Sequence, residues 1–165
     1  SAQFAVVEEA SFVANVAYDG GDDPLSTPGP GGELGKMARG LFKGGPDLYK
    51  YVDKVADGIT NINKKLTDRK PFGSISSAVN SASRYENVTD QGSAIFNSIT
   101  TGHIFGDGVK RTATEFITDF AKQNDLKLKL DGAGLQDLTK KLSTGVDEGG
   151  VRYTTEELSG ILFEQ

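Results

Sequence analysis

The chain has 165 residues, a formal charge of −5 at neutral pH, one histidine and no cysteine. Disulfides, thiolate metal sites and a catalytic cysteine are therefore excluded, and a single histidine disfavours an ordinary zinc site. The acidic balance disfavours a nucleic-acid partner. No apolar run has the length of a membrane span, and no secretory signal pattern is present.

The N-terminal part combines a helical pattern with an irregular one. Apolar residues recur at helical spacing over 4–17, whereas the acidic, Pro/Gly-rich run at 19–32 is typical of an exposed loop or linker. A short helix is expected within 33–45, ended by two glycines. These features predict an N-terminal helix and loop over 1–32, followed by one compact domain over 33–165.

Residues 47–66 carry the clearest periodicity in the chain, with apolar residues stepping by four and three positions. This spacing predicts one long helix with a single buried stripe, and Pro46 suits its first turn. Core packing explains the stripe better than a partner coiled coil does. The stripe comprises Leu48, Val52, Val55, Ile59, Ile62 and Leu66.

After a break at 67–73, helices are predicted at 74–87, 90–102 and 109–125. The expected inward residues are Ile95, Phe96 and Ile99 in the second of these, and Ala113, Phe116, Ile117, Phe120 and Ala121 in the third.

The C-terminal part predicts an alternating stretch and two more helices. Residues 126–130 fit a short strand or an extended connector. One helix is indicated by Leu135, Leu138 and Leu142. The last helix is predicted to begin with a capping box formed by Thr154 and Glu157. The fold class is therefore all-α, a bundle of about six to eight helices with a functional loop between two central ones.

That functional loop is the run HIFGDGVKRTA at 103–113, which contains the only histidine. The turn Gly106-Asp107-Gly108 leads into the start of the helix at 109–125, where unpaired N–H groups and the helix dipole favour an anion. Lys110 and Arg111 add positive charge at the same end. This combination predicts a phosphate site.

Two further residues of the run suggest chemistry on that phosphate. Asp107 is an acid among cationic groups, which makes sense if it holds Mg²⁺ against phosphate oxygens. His103, in its neutral form, can accept a proton from an incoming hydroxyl. Phe105 is expected to anchor the loop in the core.

The run resembles the Fic/Doc signature, most closely that of the Doc branch, written His-x-Phe-x-Asp-Gly-Asn-Lys-Arg-Thr-Ala. Eight of the nine specified positions match, and Val109 replaces the family Asn. The resemblance implies a Fic-type helical fold with ATP or another nucleoside triphosphate as co-substrate and Mg²⁺ as cofactor. It assigns His103 as the general base, Asp107 to the metal, and Lys110 and Arg111 to catalysis. The nucleotide-binding residues it implies are Gly106, Gly108, Val109, Lys110, Arg111 and Thr112.

Within the family, two positions favour transfer of the γ-phosphoryl group over transfer of AMP. Lys110 stands where adenylyl transferases have Gly, and Thr114 stands where their second motif Arg would fall. Val109 removes an amide side chain that could bind phosphate or brace the loop. An adenylyl transferase of the same fold and a catalytically impaired interaction module therefore remain alternatives.

The resemblance also implies partners and a setting. The expected target is a hydroxyl of a protein, with elongation factor Tu as the candidate, and a cognate immunity protein or antitoxin is expected. The chain begins with Ser1, as an excised domain would. Action in the bacterial cytoplasm is expected, with delivery as the C-terminal part of a secreted protein.

Three other patterns are assigned no function. Residues 30–37 lack the first Gly and the final Ser/Thr of a phosphate-binding loop. Residues 144–149 resemble an inhibitory pattern of the Fic/Doc family, which implies that Glu148 would pair with Arg111, but a plain loop is favoured because the segment is glycine-rich. Five aromatics are expected in core or rim packing: Tyr49, Tyr51, Phe72, Tyr85 and Tyr153.

Overall fold

The structure is a computed structural model that describes residues 41–164. Backbone contacts divide the chain after Phe42, and the unit that begins at Lys43 holds the elements described below. Outside the described residues lie the predicted helix at 4–17, the loop at 19–32, the run at 30–37, the boundary after residue 32 and most of the predicted helix at 33–45.

Six α-helices and two short 3-10 helices make up the described part of the chain, and residues 41–164 form no strand. The prediction of an all-α class is confirmed for this part. None of its helices is both long and apolar enough to cross a membrane. The α-helices are α1 (Val52–Thr67), α2 (Ser76–Ala82), α3 (Val88–Thr101), α4 (Val109–Gln123), α5 (Gly132–Ser143) and α6 (Thr155–Leu162). The 3-10 helices are Leu48–Tyr51 and Val146–Glu148.

The predicted apolar stripe over 47–66 continues through two elements, because the 3-10 helix Leu48–Tyr51 precedes α1. Tyr51 takes φ −122° and ψ 20°, outside the α region, so regular α-helical bonding starts at Val52. Asp68 ends the helix in the left-handed conformation, and its N–H donates to the Lys64 carbonyl. The buried members of the stripe are Leu48, Val55, Ile59 and Ile62.

Helices α3 and α4 form the centre of this unit. Helix α3 packs against α2, α4, α5 and α6, while α4 also packs against α1 and α5. Each large apolar side chain buried here contributes about 1.5–3 kcal/mol. The core therefore holds the two helix ends that flank residues 102–108. The predicted inward residues are all buried: Ile95, Phe96, Ile99, Ala113, Phe116, Ile117, Phe120 and Ala121.

A buried glutamine joins the start of this unit to α3. The Oε1 atom of Gln91 accepts from the Gly45 N–H at 2.7 Å, and its Nε2 donates to the carbonyls of Gly45 and Tyr85 at 3.0 and 3.1 Å. Because these bonds satisfy the amide away from water, they fix both the chain before the first 3-10 helix and the turn before α3.

The C-terminal residues close the unit against the segment between α4 and α5. Residues 126–130 lie between α4 and α5 without forming a strand, and Leu128 forms an isolated antiparallel bridge with Phe163. Helix α6 begins with the predicted capping box: the Glu157 N–H donates to Thr154 Oγ1 at 3.1 Å, and the Thr154 N–H donates to Glu157 Oε1 at 2.9 Å.

Candidate functional site

Residues 102–108 form the loop between α3 and α4. His103 lies in the left-handed region, at φ 57°, and its side chain is exposed. Phe105 is 3% exposed and anchors the loop in the core, which is the position predicted for it. Gly108, at φ 69°, ends the loop and is the N-cap of α4. The fold therefore leaves the imidazole open to solvent while it fixes the loop beneath it.

The start of α4 has the character of an anion site. The helix has no side-chain cap, and the N–H groups of Val109, Lys110 and Arg111 find no acceptor within residues 41–164. The side chains of Lys110 and Arg111 are exposed. Their charges add to the partial positive charge of the helix end, so this end attracts an anion. Arg111 Nη2 donates to the Leu66 carbonyl at 3.2 Å, and its remaining N–H groups can serve a ligand.

The Asp107 carboxylate accepts a hydrogen bond from one of the backbone amides that the sequence predicts to bind the anion. Its Oδ1 accepts the Gly108 N–H at 2.8 Å. Because Asp107 is exposed, its side chain can rotate away and release that amide without disturbing the core. A phosphate that uses the Gly108 N–H must first displace this carboxylate.

The last turns of α1 hold the loop, a role that the sequence reasoning missed. Asn63 is 1% exposed, and its Nδ2 donates to the Asp107 carbonyl at 2.7 Å and to Thr112 Oγ1 at 3.0 Å. A Cβ at Gly108 would overlap the methyl group of Thr67. The signal was available: Asn63 follows Ile59 by four residues and thus falls on the buried face of α1 as a polar residue.

The predicted nucleotide-binding residues around the start of α4 differ in how far they are exposed to solvent. Lys110, Arg111 and Gly106 are exposed, and Gly108 and Val109 are half-buried. The Thr112 side chain is instead buried against α1, where it accepts from Asn63, and its N–H donates to the Gly108 carbonyl. Thr112 therefore serves the junction of α1 and α4. At Thr114, the hydroxyl oxygen is buried and makes no hydrogen bond with any group of residues 41–164.

The site offers a metal ion one carboxylate. No group of three or more His, Asp or Glu side chains within residues 41–164 could hold a metal by itself. Mg²⁺ commonly binds one or two carboxylates together with phosphate oxygens and water. The second oxygen of Asp107 makes no hydrogen bond within the described part of the chain, so the donor set fits Mg²⁺ only together with a phosphate ligand.

Two carboxyl groups farther along α4, those of Glu115 and Asp119, have raised pKa values. Burial raises the pKa of Glu115 to about 7, against the opposing effects of Lys65, Lys122 and Arg111. Burial, followed by repulsion from Glu115, raises the pKa of Asp119 well above its ordinary value. Neither residue is among those for which the sequence predicts a function.

The structure also shows the positions of Glu148 and of the five aromatic residues, to which the sequence assigns no function. Glu148 is exposed in the 3-10 turn Val146–Glu148, and no ion pair joins it to Arg111 in the described part of the chain. None of the five aromatics lies in the core. Phe72 is 80% exposed and lies against the loop at Gly106.

Comparison with known proteins adds no relative to this geometry. No protein-family model matches the chain, and neither a curated protein nor a solved structure does. The Fic/Doc resemblance therefore rests on the sequence alone, on the motif at 103–113 and on the helices that flank it over roughly 90–125.

Proposed function

We propose that this chain is a Doc-like transferase that moves the γ-phosphoryl group of a nucleoside triphosphate onto a hydroxyl of a target protein. The observation that carries the proposal is the position of an exposed imidazole, His103, on the loop that leads into an uncapped helix start with two exposed cations, Lys110 and Arg111. The motif resemblance supplies the expected chemistry, and the open amides of α4 support binding of phosphate there.

In the proposed reaction, His103 accepts the proton of the target hydroxyl as its oxygen attacks the γ-phosphorus. The bond from that phosphorus to the bridging oxygen of the β-phosphate breaks, and the nucleoside diphosphate leaves with the bond's electrons. Lys110, Arg111 and the N–H groups of α4 stabilise the charge on the phosphate oxygens. Positioning and charge stabilisation account for most of the catalysis of such a transfer.

Asp107 is the residue that would hold Mg²⁺. The metal would neutralise charge on the phosphates when bound. Rotation of the Asp107 side chain toward a cation would also release the Gly108 N–H for a phosphate oxygen. Asn63 keeps the Asp107 backbone in place throughout, because it bonds to the carbonyl and not to the carboxylate.

One observation favours a second candidate, an interaction module of the same fold without turnover. The Gly108 amide is already bonded to Asp107, and Val109 offers no side-chain donor in place of the family Asn. Such a chain would bind a target protein, or a nucleotide weakly, without transfer.

The partners follow from the proposed reaction. On the motif resemblance, a hydroxyl on elongation factor Tu is the first target to test, and a cognate immunity protein or antitoxin is the expected inhibitor. The proposed setting is the bacterial cytoplasm.

The test incubates the protein with Mg²⁺, purified elongation factor Tu and ATP labelled at either the α- or the γ-phosphate, and repeats this with a bacterial lysate. We expect label from γ-labelled ATP only. Label from α-labelled ATP would indicate adenylyl transfer instead. Binding of ATP without transfer to any protein would favour the interaction module.

Two variants connect the label to the site. We expect His103→Ala to lower transfer by a factor of about 10² to 10⁴ while the helical circular dichroism is kept. Arg111→Ala should weaken ATP binding, whereas Arg84→Ala, which changes another exposed arginine after α2, should not. Undiminished transfer by His103→Ala would remove His103 from the base role.

A further inference from the structure

Phe72 is the most exposed large apolar side chain of the described residues, at 80%. It lies on the segment between α1 and α2, and its N–H donates to the Ile104 carbonyl at 2.7 Å. That bond joins the Phe72 segment directly to the loop that carries His103. The ring is therefore presented to solvent at the edge of the candidate site.

The ring also lies close to the backbone of the loop. A Cβ at Gly106 would lie 2.9 Å from Phe72 Cζ and 3.0 Å from Cε2. Only glycine at 106 lets the ring lie this close to the loop backbone. One face or edge of the ring thus rests on the loop, and most of its surface remains available to a ligand.

The ring lies within reach of the helix start that would hold phosphates. Gly106 precedes the N-cap Gly108 by two residues, so their Cα atoms are at most about 8 Å apart. A ribose and its phosphates can span such a distance. The cations Lys110 and Arg111 mark the end where the phosphates would lie.

We infer that Phe72 is the stacking surface for the base of the donor nucleotide, an inference that rests on the proposed function. A base has two apolar faces and can stack on an aromatic ring without hydrogen bonds that distinguish one base from another. The occupant follows from continuity with the phosphate end of the site. The site should therefore favour purines over pyrimidines by stacking area rather than by hydrogen-bond readout.

The first test measures equilibrium binding of ATP, UTP and inorganic tripolyphosphate, each with Mg²⁺, by calorimetry. We expect Phe72→Ala to weaken ATP binding about tenfold, to weaken UTP binding less, and to leave tripolyphosphate binding unchanged. Tyr49→Ala is the matched control, because Tyr49 is 60% exposed and lies on the 3-10 helix before α1. It should bind all three ligands as the wild type does.

A second measurement uses the absence of tryptophan from the chain. Phe72→Trp places the only tryptophan of the chain at the proposed stacking position, where its emission can be excited separately from that of the five tyrosines. We expect ATP to quench its emission and tripolyphosphate to leave it unchanged. Since Phe72 is so exposed, neither substitution should alter the thermal unfolding midpoint.

The outcomes separate this inference from the proposed function. Tripolyphosphate binding by the wild type together with unchanged ATP affinity in Phe72→Ala would overturn base stacking alone. A higher KM for the target protein at unchanged ATP affinity would likewise overturn it and assign Phe72 to target docking. Failure of the wild type to bind either ATP or tripolyphosphate would overturn both.

Discussion

The side-chain amide of Asn63 donates to the backbone carbonyl of Asp107 at 2.7 Å, from a position where Asn63 is 1% exposed. The same nitrogen donates to Thr112 Oγ1 at 3.0 Å. One buried amide thus fixes the loop at its acidic residue and α4 in its first turn. This relationship makes the shape of the loop depend on α1, which lies far from it in sequence.

Asn63→Ala should therefore destabilise the protein and distort the loop. It leaves the Asp107 carbonyl and the Thr112 hydroxyl without their donor, at a cost of about 2 kcal/mol. Urea unfolding measures the lost free energy of unfolding. The affinity for tripolyphosphate reports whether the loop keeps its shape. Asn61→Ala is the control, because Asn61 is exposed on the same helix. Equal stability of the two variants would contradict the role of Asn63.

Gly108→Ala should destabilise the protein and abolish anion binding. Its left-handed backbone costs alanine about 1–2 kcal/mol, and the added methyl group overlaps Thr67. Gly160→Ala is the control. Gly160 lies within α6, and no atom of the described residues outside its own stretch of helix lies within 4 Å of an added Cβ, so alanine there should stabilise the protein by up to about 1 kcal/mol. The two substitutions should shift the thermal unfolding midpoint in opposite directions, with Gly108→Ala lowering it and Gly160→Ala raising it. A stable Gly108→Ala protein would show that the loop can rearrange.

Glu115 should make stability depend on pH between about 4.5 and 7. Its pKa is raised in the folded protein to about 7, so the unfolded chain releases the proton first as the pH rises. The folded state thus loses stability across this window, by up to about 3 kcal/mol, and the loss is complete above pH 7.

The measurement compares urea unfolding of the wild type and Glu115→Gln at pH 5 and pH 7.5. Glutamine resembles the protonated acid, so the variant should be the more stable protein at pH 7.5 and nearly equal to the wild type at pH 5. Glu86→Gln, which changes an exposed residue, should follow the wild type at both values. A variant less stable than the wild type at pH 7.5 would show that the charged form of Glu115 stabilises the fold.

Thr154→Ala tests the cap of the last helix. Removing the hydroxyl leaves the Glu157 N–H without its acceptor and should cost about 1 kcal/mol. Because the cap stabilises the first turn of α6, its loss should accelerate hydrogen exchange of the backbone amides in that helix. Unchanged exchange there would mean that packing alone holds this helix.

The elements with strong periodicity were predictable from sequence because packing and local pattern agree. Ile95, Phe116 and Phe120 face inward as their spacing indicates, and Thr154 with Glu157 forms the expected cap. The 3-10 turn at Leu48–Tyr51 was not predictable, since the apolar stripe continues through it without a break.

For the candidate site, the sequence predicts the loop residues but not their supports. His103 and Phe105 alternate as expected because both depend on local geometry. The role of Asn63 depends on a contact between distant segments, and the position of Phe72 depends on a bond to Ile104. Such contacts have no signature in local spacing.

The bond from the Gly108 N–H to Asp107 has a consequence for how ligands enter the loop. An arriving anion competes with a tethered carboxylate of the same charge, so its affinity is lowered while that acid stays in place. A cation that attracts Asp107 removes the competitor. Cation and anion should therefore bind with positive cooperativity, each raising the affinity of the other by the same factor.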